Sequence, residues 1–154
     1  MTGPLLSLGF DELDVGARET TMRRTVTEAD IVTWCAHTWD RFWLHTDAVA
    51  ARESHFGRRI APGIMVFAFI AGLGVPADSR TVVANYGTDR LRFPHPTFIG
   101  DSIRLEIEVL EKTPRDGGGV VTFRWDAVNQ NGATVCASRL KILMASRVQV
   151  GATA

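Results

Sequence analysis

Between Pro62 and Gly74 the chain carries Ile64, Met65, Val66, Phe67, Ala68, Phe69, Ile70, Ala71 and Leu73, with no charged residue among them. Wound as a helix, such a run is apolar all round the wheel, and a helix of that kind is stable only when buried. Pro62 suits the first helical position, while Gly72, Gly74 and Pro76 supply the stop. The helix that results has about fourteen residues, short of the roughly 20 that a bilayer span needs. It is therefore expected in the core of a soluble fold, and the rest of the chain has to cover it.

The cover reads as β-structure. Ile103, Leu105, Ile107 and Val109 alternate with Ser102, Arg104, Glu106 and Glu108, the period-2 pattern of a strand with one wet face. Val121, Phe123, Trp125 and Ala127 share one face of the next strand, and Asn131-Gly132 predicts a hairpin into a strand over residues 134–144. Residues 18–26 and 81–86 read as two further strands. Thr27-Glu28-Ala29-Asp30 is a capping-box start, after which Ile31, Trp34, Cys35 and Thr38 fall on one helical face. That helix ends near Trp39-Asp40, and a second short one opens at His45-Thr46-Asp47, with Thr46 as N-cap, and runs through Glu53. The predicted fold class is α+β, an antiparallel sheet of about five strands on one apolar helix.

Composition closes off several classes of function. With 154 residues the chain is long enough for one domain with its own core. Its 17 basic and 17 acidic side chains cancel, and no block of five or more Lys/Arg occurs, which argues against a nucleic-acid partner. Cys35 and Cys136 fall in a predicted helix and a predicted strand, and read as buried thiols rather than a disulfide framework. No signal-like head precedes an apolar run near the start, so the expected location is the cytoplasm, with no membrane partner. The loosest stretches are the first sixteen residues, the turn at 114–119 and the tail after Val150.

Three constellations could carry chemistry. Asp40 and His45 stand five residues apart among Trp39, Phe42, Trp43 and Leu44, a setting that tends to exclude bulk water. One reading is an Asp/His pair that activates a water molecule as general base and acid; the other is a helix cap and a half-buried structural histidine, and spacing alone leaves both open. A metal site of His37, Asp40, His45 and Asp47 matches no ligand-spacing signature. In Phe56-Gly57-Arg58-Arg59-Ile60-Ala61-Pro62-Gly63, Gly63 at the head of a buried helix exposes a backbone N–H suited to a developing oxyanion, or simply permits close packing. Arg58 and Arg59 could meet phosphate or form a solvated turn. Finally, Arg92-Phe93-Pro94-His95-Pro96 and Gly100-Asp101 read as strand-edge turns.

Taken together and in this order, the motifs resemble the MaoC-like dehydratase family over roughly residues 10–148. This is a hot-dog fold group that includes R-specific enoyl-CoA hydratases. Its Asp and His five positions apart match Asp40 and His45, its Ile-Ala-His-Gly segment matches Ile60-Ala61-Pro62-Gly63, and its Arg-Phe, Pro-Val and Gly-Asp positions match Arg92-Phe93, Pro96 and Gly100-Asp101. The resemblance implies a single domain whose sheet wraps the central helix, and a homodimer joined edge to edge with the active site near its interface. It implies Asp40 and His45 as the acid/base pair and Gly63 as oxyanion donor. Phe42, Trp43, Pro62, Arg58 and Arg92 would contact an acyl-thioester substrate. No cofactor is implied, coenzyme A entering only as part of the substrate. The chain departs from the family pattern at Phe42-Trp43, where Asn-Pro is usual, at Pro62 in place of His, and at Ala71 in place of a serine. Trp43 makes it similar to a nodulation-protein-N-like branch. The expected reaction is water addition to an enoyl thioester or its reverse. The alternatives are a hot-dog thioesterase and a non-catalytic acyl-thioester binder or partner subunit.

Overall fold

A computed structural model describes residues 4–147. Its one sheet is built from β1 (Arg18–Thr25), β2 (Val82–Arg92), β3 (Ser102–Arg115), β4 (Gly118–Val128) and β5 (Thr134–Ala145), in spatial order β1-β3-β4-β5-β2 with every pair antiparallel. The helices are α1 (Glu28–Thr38), α2 (Trp43–Thr46), α3 (Ala48–Glu53) and α4 (Gly63–Gly74). Alternation along β3 puts Ile103, Leu105, Ile107 and Val109 into the core, where they meet Val121, Phe123, Trp125 and Ala127 of β4 and the buried Met65, Val66 and Ile70 of α4. Packing there is close enough that Gly74 admits no side chain, since a Cβ would stand 2.2 Å from the Trp125 ring.

Several expectations change once the elements are in place. The helix α4 begins at Gly63, and Pro62 is its N-cap rather than its first residue. Its apolar circumference is only partly covered within one chain. Ile64 is 54% exposed and Ala68 and Gly72 are exposed too, because a single sheet can reach one side of a helix only. The turn expected over 114–119 is confined to Asp116 and Gly117, because β4 starts at Gly118 and β3 continues to Arg115 through Pro114. Proline is tolerated there because the β1 partnership ends at Glu108, leaving that side of β3 without a ladder bond to lose.

The β4–β5 hairpin forms as predicted, but its turn is wider than two residues. The Asn129 side-chain oxygen accepts from the N–H groups of Asn131 and Ala133, and only Gly132 of the Asn-Gly pair takes positive φ. Of the sixteen residues expected to be loose, 4–16 are ordered against the core. They make two short 3-10 turns, Leu5–Ser7 and Phe10–Glu12, and bury Leu5, Leu6, Phe10 and Leu13. The tail after Val150 lies outside the described residues. Both cysteines are free and buried. Burial pushes the Cys136 thiol up to about 12, with Asp126 adding to it. No described helix is long and apolar enough to cross a membrane.

Candidate active site

Helix α1 starts where the sequence said. Thr27 accepts from the Asp30 N–H while Asp30 accepts from the Thr27 N–H, each satisfying an orphan donor of the first turn. Trp39 ends the helix in the left-handed conformation, φ 59°, and swings the chain so that Asp40 follows immediately. The Phe42 N–H donates to Asp40 Oδ1 at 3.1 Å, which fixes that carboxylate and leaves Oδ2 for other work. The expected helix from His45 to Glu53 is in fact two. His45 lies inside α2, and Asp47, not Thr46, caps α3 by accepting from Val49 and Ala50. A carboxylate accepts these two N–H groups more strongly than a hydroxyl would.

His45 is held by the chain just before α4. Its Nδ1 lies 2.8 Å from the Ile60 carbonyl, and Ile60 N–H donates back to Leu44. A carbonyl oxygen only accepts, so Nδ1 carries the proton and Nε2 is the free ring nitrogen. That nitrogen faces Asp40 Oδ2 at 3.9 Å. The gap is too long for a direct hydrogen bond and short enough for one water to reach both atoms at about 2.8 Å. The imidazole side chain is 11% exposed and the carboxylate 30%, so the pair sits at the floor of an opening rather than within the core. Beside it, burial and the Asp40 charge push the Cys35 thiol up and keep it protonated.

Gly63 is brought to the same place by the loop that precedes β3. Ala61 N–H donates to Thr97, and Ile60 bridges Phe98. The loop in turn is clamped by the buried Asp101, which accepts from the Phe98 N–H and from Gln130 Nε2, while Gly100 turns at φ 93°. At the head of α4 the first N–H groups have no intrahelical partner, and no side chain caps them. The Phe93 ring lies directly over Gly63, where a Cβ would come within 2.7 Å of it. The glycine is thus a requirement of the site's shape. His45, Ile60, Ala61, Gly63, Phe93 and Thr97 share a cavity of about 380 Å³, whose wall also holds Phe56, His55 and His95.

The other candidates spread out. The Phe42 ring packs edge-on against His45, 5.4 Å between centroids, while Trp43 lines a separate shallow depression with Ala50 and Glu53. Pro62 is buried as the α4 N-cap and does not line the cavity. The Arg58 guanidinium covers the Phe98 ring at 3.9 Å, and Arg92 is exposed and donates to the Leu91 carbonyl, so neither lines the cavity. Arg59 pairs with Glu28. Asp47 is spent as a cap, and His37 lines a groove with Trp34 and Phe69, apart from Asp40 and His45. Among the described residues no three His, Cys, Asp or Glu side chains come together as a ligand set. Sequence reading passed over His55, Phe56, Thr97 and His95 as site residues. The Pro-His-Pro run was the available signal for His95, since two prolines hold a loop residue rigidly.

Comparison with known proteins places this geometry among relatives. Residues 15–131 match the pattern of the family described as MaoC like domain. The chain is 43% identical over 104 residues to Protein MaoC of Klebsiella aerogenes, covering 68% of this chain and 31% of that protein, so it spans about a third of that relative's length. It is 31% identical over 115 residues to 3-hydroxybutyryl-CoA dehydratase of Methylorubrum extorquens, covering 74% of this chain and 71% of the relative. Among solved structures, an R-hydratase of Pseudomonas aeruginosa superposes with a TM-score of 0.75 at 30% identity, over 91% of this chain and 87% of that one. A Mycobacterium tuberculosis protein with a double hot-dog fold superposes at a TM-score of 0.77 and 20% identity, over 90% of this chain and 44% of its own, which shows the fold.

Proposed function

Because the chain belongs to the MaoC-like family, whose pattern covers most of it, we propose that it is a hydro-lyase that adds water to an enoyl thioester or removes it from the 3-hydroxyacyl product. The observation that carries this reading is the 3.9 Å span between Asp40 Oδ2 and His45 Nε2, with His45 lining the same cavity as Gly63 at the uncapped head of α4. Kinship to proteins named 3-hydroxybutyryl-CoA dehydratase and R-hydratase supports the thioester class. In this reading the acyl carrier is coenzyme A, present only as part of the substrate, no cofactor takes part, and the enzyme works in the cytoplasm as a homodimer.

The chemistry follows from what each group can do. A water held by both side chains loses a proton to the dyad as its oxygen bonds to C3. The electron pair of the C2–C3 double bond moves towards the thioester carbonyl, and the oxyanion accepts the Gly63 N–H at the positive end of α4. The dyad then returns a proton to C2, so that one water has added across the double bond and nothing else is consumed. Pinning of Nδ1 on Ile60 keeps Nε2 available for both transfers. Phe42, packed edge-on against His45, bounds the site on that side.

The test is a panel of short, medium and branched trans-2-enoyl-CoA thioesters, following double-bond loss and free thiol in parallel. Double-bond loss without thiol, abolished in Asp40→Asn, is the expected result. Thiol release would instead make the protein a thioesterase. Binding without either signal would make it an acyl-thioester binder or the partner subunit of a second chain.

A further inference from the structure

The cavity that holds His45 and Gly63 carries two further imidazoles on its wall, His55 and His95, which the water-addition chemistry does not use. His95 stands between Pro94 and Pro96, and its Nδ1 lies 2.9 Å from the Thr134 carbonyl. The carbonyl only accepts, so Nδ1–H is committed to β5 and Nε2 is the ring nitrogen left for a ligand. The ring is thereby fixed from the loop side and from the strand side. His55 is exposed, its ring tilted 40° against that of Phe56 with centroids 3.7 Å apart. The described lining of the cavity contains no carboxylate to compete for these rings. The exposed arginines that a phosphate would first suggest are engaged elsewhere, Arg58 over Phe98 and Arg92 on the Leu91 carbonyl. With two exposed imidazoles on its wall and no carboxylate among the residues that line it, Asp40 being turned to His45 instead, the largely apolar cavity is suited to an anion.

We infer that His55 and His95 form an anion subsite of this cavity, which takes an anionic oxygen group of the thioester ligand, either a carboxylate at the far end of the acyl chain or a phosphate of the carrier arm. The inference rests on the thioester reading of the site. It assigns the two histidines to ligand selection, apart from the Asp40/His45 dyad that would handle the water.

Saturated thioesters separate the two claims, because they bind but have no double bond to hydrate. Titration calorimetry with glutaryl-CoA, butyryl-CoA and butyryl-N-acetylcysteamine offers the protein a carboxylate plus phosphates, phosphates alone, and neither. His95→Gln keeps an amide N–H for Thr134 while losing the imidazole, and His55→Gln removes the other ring. Both variants are expected to weaken an anionic ligand by roughly tenfold, the worth of one charge-assisted hydrogen bond, and the neutral thioester far less. Loss with both coenzyme A ligands identifies the carrier phosphates, and loss with glutaryl-CoA alone identifies the acyl carboxylate. Equal loss for all three ligands, no loss for any, or a wild-type protein that binds neither anionic ligand overturns the subsite. Turnover of the enoyl counterparts by the wild-type protein is measured separately, so a failed hydratase reading with an intact anion preference is recognisable as such.

Discussion

Gly63 and Phe93 form the tightest contact of the candidate site, and the pair can be tested as a unit. Alanine at 63 pushes a methyl into the Phe93 ring, which is a surface side chain able to swing away, so the cost falls on the shape of the cavity more than on stability. Gly63→Ala is expected to lower kcat by one to two orders of magnitude, roughly what misplacing an oxyanion donor costs, with the unfolding midpoint little changed. Adding Phe93→Ala removes the clashing ring and should restore part of the loss, a coupling read from a double-mutant cycle. Additive losses would mean that Phe93 does not set access to the helix head. For the dyad, His45→Ala and Asp40→Asn are each expected to reduce turnover by about 10²–10⁴ while circular dichroism stays native. Either variant with full activity would remove that residue from the chemistry.

Among the elements, α1 offers a prediction in which the sign can be worked through. Burial acts to raise the Asp30 pKa, but hydrogen bonds from the Thr27 backbone and hydroxyl, together with Arg24, outweigh it and hold the carboxyl below its ordinary value of 3.8. A carboxylate whose folded pKa is depressed binds fewer protons in the native state. It therefore contributes stability above the unfolded pKa, and that contribution is lost as pH falls through the folded one. Thr27→Ala is expected to cost about 0.5–2 kcal/mol at neutral pH, and the difference from wild type should shrink below about pH 4 in urea titrations. A difference that persists unchanged in acid would assign the cost to the hydroxyl cap alone. The same element shows what the sequence could and could not tell. Its capping box was legible because both partners are local, three residues apart. The split between α2 and α3 is local as well, but the pattern puts the cap on the wrong residue: Asp47, extended at φ −110°, closes α2 and caps α3, a role that Thr46 beside it could equally have filled. Asp40, His45 and Gly63 were legible through the family's motif, whereas His55 and His95 reach the cavity only through tertiary packing. The extension of β3 through Pro114 likewise depends on where β1 stops, which no local pattern records.

At the scale of the whole molecule, one chain leaves the β2 edge of the sheet and a flank of α4 open. The strand β2 lies at the end of the sheet with one side unpaired, and it presents Val83 at 58% and Tyr86 at 52% exposure. An edge of this length, with apolar side chains and no blocking proline inside it, is a template for pairing with another strand. The helix α4 meanwhile shows Ile64 to solvent, although nothing in its sequence suits it to water. A two-fold dimer that pairs β2 with its own copy would continue the sheet across the interface and bring more protein over the exposed flank of α4. Sedimentation equilibrium is expected to give twice the chain mass for the wild-type protein. Placing like charges next to the two-fold axis, as Val83→Lys with Tyr86→Lys, should shift it to the single-chain mass, since like charges directly opposite one another on paired strands repel. If the dimer also completes the site, those monomeric variants lose turnover while Asp40 and His45 are untouched. Full activity in the monomer would mean that one chain suffices for the chemistry, and a wild-type protein that sediments as a single chain would leave β2 and α4 needing another partner altogether.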